Sequence, residues 1–169
     1  MDRKDKLIKL YERIYSRKNN ARILSAIGLA GTLYVGAAYV FVALRLFAFG
    51  SYLEAVGLFL AVLIPFALVS VLRILLDLPR PYEVVDYEPF TLSARGRKRG
   101  RSFPSRHVLC AFTIGVLLIK YSAVLGVCTL LVGVYIGTER TLRGIHFPKD
   151  VIAGSIIGIV SGIIGLLIL

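Results

Sequence analysis

Cysteine, histidine and acidic residues are all scarce in this chain. Its two cysteines, Cys110 and Cys128, lie inside apolar runs. They offer neither a disulfide framework nor zinc-type ligand spacing, and both read as small apolar packing residues. Asp and Glu number 10 against 21 Lys and Arg, for a formal net charge of +11. No stretch gathers carboxylates as a metal site would require. There are two histidines, His107 and His146. The charge-rich N-terminus is not followed by a short apolar core and a small-residue cleavage site, so no cleaved leader is predicted. No internal repeat and no second domain is visible.

Apolar residues, by contrast, are abundant. The 169 residues are 57% hydrophobic, with a mean hydropathy of +0.76, above the usual share of a soluble protein. Strong apolarity combined with strong basicity points to a membrane protein whose basic loops meet anionic lipid or phosphate. Nucleic-acid binding is the competing reading of the charge. The apolar runs are too long for a small soluble reader, so no nucleic-acid partner is expected.

Five apolar runs are visible, at residues 23–44, 55–72, 108–119, 123–137 and 151–169. A bilayer-spanning helix needs about 20 apolar residues. The first, second and fifth runs meet that length; the third and fourth reach it only if their polar flanks form the helix ends. Glycine and alanine recur within the runs, as they do where helices pack closely in lipid. Ahead of the runs, residues 1–22 place Leu7, Leu10, Tyr11 and Ile14 at helical spacing among Lys and Arg. This pattern predicts an amphipathic helix on the membrane surface, or a solvated helix packed on a loop. The expected fold is therefore all-α: a polytopic membrane bundle of about five transmembrane helices with an N-terminal interfacial helix. Residues 23–169 form the membrane domain, with one polar loop at about 79–103. That loop is acidic at first and basic later, and reads as solvated or headgroup-binding.

Three polar clusters interrupt this pattern. "RILLDLPRP" puts Arg73 and Arg80 on one face at the end of the second run, with Pro79 and Pro81 ending the helix. Snorkelling at the interface explains it equally well. "SFPSRH" opens the third run, where unpaired N–H groups of a helix start hold phosphate well. There Ser105 adds a hydroxyl, Arg106 a charge and His107 a proton carrier. "ERTLRGIHFPKD" opens the fifth run. Pro148 suits a first helical position, and Asp150 in the first turn can reach back to His146. A carboxylate on one ring nitrogen leaves the other nitrogen as a nucleophile; a plain surface His–Asp pair is the bland alternative. With five helices, all three clusters fall on one membrane face, and ionisable groups at such depth are usually functional.

Together the clusters resemble the type 2 phosphatidic acid phosphatase superfamily, membrane lipid phosphatases related to vanadium haloperoxidases. The family pattern is K-x6-R-P, then P-S-G-H, then S-R-x5-H-x3-D. Here it reads as Arg73, Arg80 and Pro81, then "PSRH", then Arg140, His146 and Asp150. Arg73 stands in place of the family Lys, Arg106 in place of Gly and Glu139 in place of Ser; Glu139 is expected to point away from the phosphate. The resemblance implies a multi-pass cell-membrane phosphatase with neither metal nor cofactor. In that scheme His146 is the nucleophile, Asp150 orients it, and His107 is the acid and base. Arg73, Arg80, Ser105, Arg106 and Arg140 bind the substrate. The expected partners are membrane lipids and a lipid phosphate or diphosphate: phosphatidylglycerol phosphate, phosphatidic acid or undecaprenyl diphosphate. A phosphotransferase using the same histidine and a non-enzymatic anionic-lipid binder are the alternatives.

Overall fold

The computed structural model describes residues 9, 18–84 and 99–169. Most of the amphipathic N-terminal stretch, and residues 85–98 of the polar loop, lie outside them. The described elements are α1 (Lys18–Ala48), α2 (Tyr52–Leu76), α3 (Pro81–Val84), α4 (Arg106–Ile119), α5 (Ala123–Leu142) and α6 (Pro148–Ile168). Every apolar run becomes a helix. α1 starts at Lys18, so residues 18–22 continue directly into the first span.

Local chemistry sets the ends that matter. α2 stops where Asp77 adopts a left-handed conformation (φ 36°) and donates its N–H to the Arg73 carbonyl, just before Pro79, which cannot extend the helix. α4 begins after Pro104, with Ser105 at the cap. α5 begins at Ser122, whose hydroxyl accepts from Leu125 N, and α6 carries Pro148 in its first turn. Gly144 (φ 64°) takes the left-handed turn after α5. There the Ile145 and His146 N–H groups both donate to the Arg140 carbonyl.

Among the described residues, four helices are long and apolar enough to cross a membrane: α1, the segment containing α2, α5 and α6. The third run departs from the simplest expectation. α5 does absorb its polar flank to Leu142, but α4 keeps only 14 residues, about 21 Å at 1.5 Å per residue. Pro104 blocks its extension backwards. α4 tolerates this because it is the core of the bundle: it packs most extensively on α5 and α6 and also touches α1 and α2. Val108, Leu109, Leu117 and Leu118 of α4 are fully buried, with Leu58 of α2 and Ile136 of α5. The outer surface is apolar as well. Leu33, Leu53, Leu68, Leu75, Val124, Leu131 and Leu167 all point outward, as lipid-facing residues do. The chain is a multi-pass membrane protein.

A stripe of small residues on α6 brings it against α4. A Cβ on Gly154 would sit 2.6 Å from the Ser105 carbonyl oxygen, and one on Gly158 would sit 2.6 Å from that of Leu109. Thr113 closes the seam by donating to the Gly158 carbonyl at 3.2 Å. Gly158→Leu should therefore force α6 off α4 at a cost of about 1–3 kcal/mol. We expect its thermal midpoint in detergent to fall by roughly 5 °C, while Gly36→Leu, with nothing within 4 Å of the new Cβ, stays near the parent. Equal midpoints for the two variants would show that the glycine seam does not set the α4–α6 distance.

Candidate active site

The three polar clusters meet at one rim of the bundle, and Asp150 joins them. As the third residue of α6 it accepts the Phe147 N–H at 3.0 Å, which closes the helix start. The same Oδ2 accepts the Ser102 hydroxyl at 2.5 Å and lies 3.5 Å from His146 Nδ1. Its backbone carbonyl accepts the Ser105 N–H at 3.0 Å. Ser102 Oγ also lies 3.5 Å from His146 Nδ1. His146, Asp150, Ser102 and Ser105 are all buried. With Nδ1–H turned to the carboxylate, Nε2 carries the lone pair that a nucleophile needs. The 3.5 Å contact is long, as such contacts often are before substrate tightens them.

Arginines surround this pair. Arg73 Nη1 donates to the Ser102 carbonyl at 2.9 Å and also to the Pro104 carbonyl. Arg80 Nε donates to the Gly100 carbonyl at 3.0 Å, and its Nη1 lies 3.4 Å from the Ile145 carbonyl. Each guanidinium has five N–H donors, so these backbone bonds orient both arginines and leave donors for a bound anion. Arg140 sits one turn before the His146 loop and pairs with Glu139, Nε to Oε2, at 3.3 Å. Glu139 is buried and packs against Gly28 of α1. It also accepts Arg143 Nη1 at 2.7 Å, so it acts as counter-charge to two arginines.

The other residues singled out in the sequence are placed less uniformly. His107 opens α4 on an exposed position, within charge–charge range of Arg140, His146, Arg106 and Arg73. The Ser105 hydroxyl is buried with no partner, ready for a ligand oxygen. Arg106 leans outward along α2: its Nη1 reaches Ser70 Oγ at 3.1 Å, and its guanidinium lies over the Phe66 ring at 5.2 Å. Two participants escaped the sequence reading. Ser102 is the closest partner of Asp150, although Ser105 is the serine nearer the helix. Glu83 accepts the Arg80 N–H at 2.7 Å and the Gly100 N–H at 3.1 and 3.0 Å, fastening residues 99–102 to α3. A serine in the motif segment was the available signal for the first; nothing in the pattern marked Glu83.

Electrostatics favour a neutral His146 ring. Burial pushes the His146 imidazole below its ordinary value of 6.5, with Arg80 and Arg73 adding to the drop and Asp150 opposing it. The folded state thus binds the His146 proton more weakly than the unfolded chain does. The linked stability is complete above pH 6.5 and declines as pH falls below it.

A family model described as the PAP2 superfamily matches residues 54–169. The Bacitracin transport permease protein BcrC of Bacillus licheniformis is 31% identical over 83 residues, covering 46% of this chain and 41% of that protein. The match thus spans about two fifths of that relative. The crystal structure of Aquifex aeolicus LpxE superposes with a TM-score of 0.70 at 28% identity, over 95% of this chain and 94% of that one. The first transmembrane PAP2 type phosphatidylglycerolphosphate phosphatase from Bacillus subtilis shares the fold, with a TM-score of 0.65 at 17% identity, over 98% and 83% of the two chains.

Two measurements test the site. An NMR titration of His146 in detergent should show the ring neutral down to below pH 6.5, and Asp150→Asn should lower its midpoint further by removing the opposing charge. A midpoint at or above 6.5 contradicts the burial argument. Ser102→Ala should lower kcat about tenfold with KM little changed, since a lost hydrogen bond to a charge is worth about 1.5–3 kcal/mol and Ser102 touches Asp150, not substrate.

Proposed function

The chain belongs to the PAP2 superfamily, and on that premise we propose that it is an integral-membrane lipid phosphatase working through a phosphohistidine. The observation that carries this reading is one rim of the bundle where buried His146 is paired with Asp150 and flanked by Arg73 and Arg80, with Arg140 within charge–charge range of Arg80 and His107. Phosphoryl transfer is largely positioning and charge stabilisation. A preorganised cage of guanidiniums supplies both.

In the first half-reaction His146 Nε2 attacks phosphorus, an N–P bond forms, and the bond to the leaving oxygen breaks. Asp150 holds Nδ1–H and stabilises the charge that grows on the ring. His107 gives its proton to the leaving oxygen. In the second, His107 takes a proton from water, the oxygen attacks phosphorus, and the N–P bond breaks to release inorganic phosphate. Arg73, Arg80 and Arg140 hold the non-bridging oxygens throughout, and the unpartnered Ser105 hydroxyl adds a donor. Among the described residues no three His, Cys, Asp or Glu side chains gather as a metal site would need, and the arginines carry the neutralising charge in this scheme. The site lies at the ends of apolar helices, an arrangement in which a substrate can keep its tail in the bilayer. Phosphatidylglycerol phosphate, phosphatidic acid and undecaprenyl diphosphate all have that form.

A phosphate-release assay over lipid phosphates and prenyl diphosphates tests the proposal. His146→Ala should reduce release by about a thousandfold or more while the protein stays folded, as loss of a nucleophile does. Release near the parent rate would remove His146 from the role. Activity should survive EDTA; complete loss restored by Mg²⁺ would overturn the arginine-only scheme. Phosphate appearing on an added alcohol instead of in solution would reassign the protein as a transferase.

A further inference from the structure

Arg73 and Arg80 meet Arg99, Arg101 and Arg106 around a cleft of about 280 Å³ beside the histidines. Arg140 is held apart from that group, by a carboxylate of its own helix. Glu139 Oε2 lies 3.3 Å from Arg140 Nε, and Oε1 accepts Arg143 Nη1 at 2.7 Å. Glu139 and Arg143 are both buried. Neither Glu139 Oε2 nor Arg140 Nε has a hydrogen bond among the described residues, so the ion contact between them is what compensates each. Buried ion triads of this kind often add no net stability over apolar residues. Stability therefore does not account for a charged residue at position 139.

The triad is fixed from several sides. Adjacent helix positions do not face each other, so Arg140 reaches Glu139 only by folding back along its own stem. Contact through Nε holds the guanidinium at its inner edge and leaves the Nη groups for other acceptors. The Glu139 backbone carbonyl also accepts the Arg143 N–H at 2.9 Å, which closes α5 just before the His146 loop. On its outer side the carboxylate lies against bare backbone of α1. A Cβ at Gly28 would sit 2.6 Å from Glu139 Cδ and 2.8 Å from Oε1, so only glycine at position 28 leaves that room. α1 precedes residues 54–169, the segment that the family model matches, and Glu139 stands where the motif has serine.

Arg140 borders the reacting groups. It lies within charge–charge range of His107 and Arg80, and its backbone carbonyl accepts the Ile145 and His146 N–H groups at 3.0 and 3.3 Å. We propose, resting on the phosphatase reading above, that Glu139 is a positioning residue for phosphoryl transfer: seated on α1 at Gly28, it holds Arg140 by the Nε edge and aims the guanidinium at the phosphoryl oxygens before substrate arrives. A long arginine side chain left free must be ordered at each turnover. One already fixed offers its charge to the transition state without reorganisation. The carboxylate also weakens the pull of Arg140 on any bound anion. Loss of the Glu139 charge therefore removes orientation and unmasks charge at once. The two effects oppose each other in the ground state, where fit is loose. In the transition state orientation dominates, and binding falls.

Two probes read this without turnover. An alkyl phosphonate resembles the bound substrate, and orthovanadate takes five ligands, as phosphorus does in the transition state. Each is titrated into the full protein in neutral detergent. Glu139→Gln should weaken orthovanadate about tenfold and change the phosphonate by less than about threefold, with kcat for a lipid phosphate falling alongside orthovanadate and KM nearly unchanged. In an Arg140→Gln background the same substitution should change orthovanadate by less than about twofold, because residues that act through one contact are not additive. Gly28→Ala should reproduce the orthovanadate loss with Glu139 in place. Gly36→Ala, with nothing within 4 Å of its new Cβ, should match the parent. The Gly28 variant carries the test if Glu139→Gln does not fold. The same orthovanadate loss in both backgrounds, equal weakening of the two probes, or a parent-like Gly28→Ala overturns the proposal. If the parent releases phosphate normally, such a result leaves the phosphatase reading standing. The full orthovanadate pattern in a parent that releases no phosphate would retire the enzymatic reading and keep Glu139 as the residue that aims Arg140.

Discussion

Asp150 is the group on which the rest of the structure depends. One carboxylate oxygen closes the start of α6, accepts Ser102 and faces His146, while its backbone carbonyl receives the first amide of the α4 start. Two segments far apart in the chain, residues 102–105 and 146–150, thereby meet at one residue. A buried carboxylate is tolerated only when hydrogen-bonded and faced by positive charge. Ser102, Phe147 and the nearby arginines supply both conditions. The same requirement explains why the rim cannot be dismantled piecemeal: removing one contact leaves the others buried and unsatisfied.

The bundle makes that meeting possible through steric fit more than hydrophobic drive. In lipid the outer apolar side chains gain nothing from being hidden, so helices associate where their backbones can approach. The glycine stripe of α6 lets the short α4 lie flush against it, with Ser105 over Gly154 and Leu109 over Gly158. This places the amide end of α4 beside the start of α6. Charge is then divided between two tasks. Glu139 neutralises Arg140 and Arg143 inside the helix packing. Arg73, Arg80 and the arginines of residues 99–106 have no carboxylate among their shared walls, which leaves a surplus of positive charge there. The imidazole–carboxylate pair and the arginine-lined cleft thus occupy neighbouring spaces that share Arg73 and Arg80.

How much of this was legible beforehand varies by residue. The His146–Asp150 pairing follows from spacing alone, because a carboxylate in the first turn of a helix reaches back over the residue that precedes it. Arg73 and Arg80 at the end of α2 follow from the proline stop. The lengths of α4 and α5 were both open, since each run spans only if its polar flanks join the helix; α5 takes in its flank to Leu142, whereas Pro104 holds α4 at 14 residues. Ser102 was passed over in favour of Ser105, since both are serines within one turn of a helix start and only the path of the intervening prolyl segment decides which faces Asp150. Arg106 stands in the motif but leans to Phe66, a choice set by the neighbouring helix.

By itself the sequence determined the membrane class, the order of the apolar helices and the polar residues available at their ends, because hydropathy and helix stops are local properties of the chain. Only the tertiary structure decided which side chains share a space. Those choices rest on the depth and rotation of each helix against its neighbours, on Glu83 pinning residues 99–102 and on glycines admitting α4 to the centre. No period or spacing encodes these, because each arises from contacts between segments tens of residues apart.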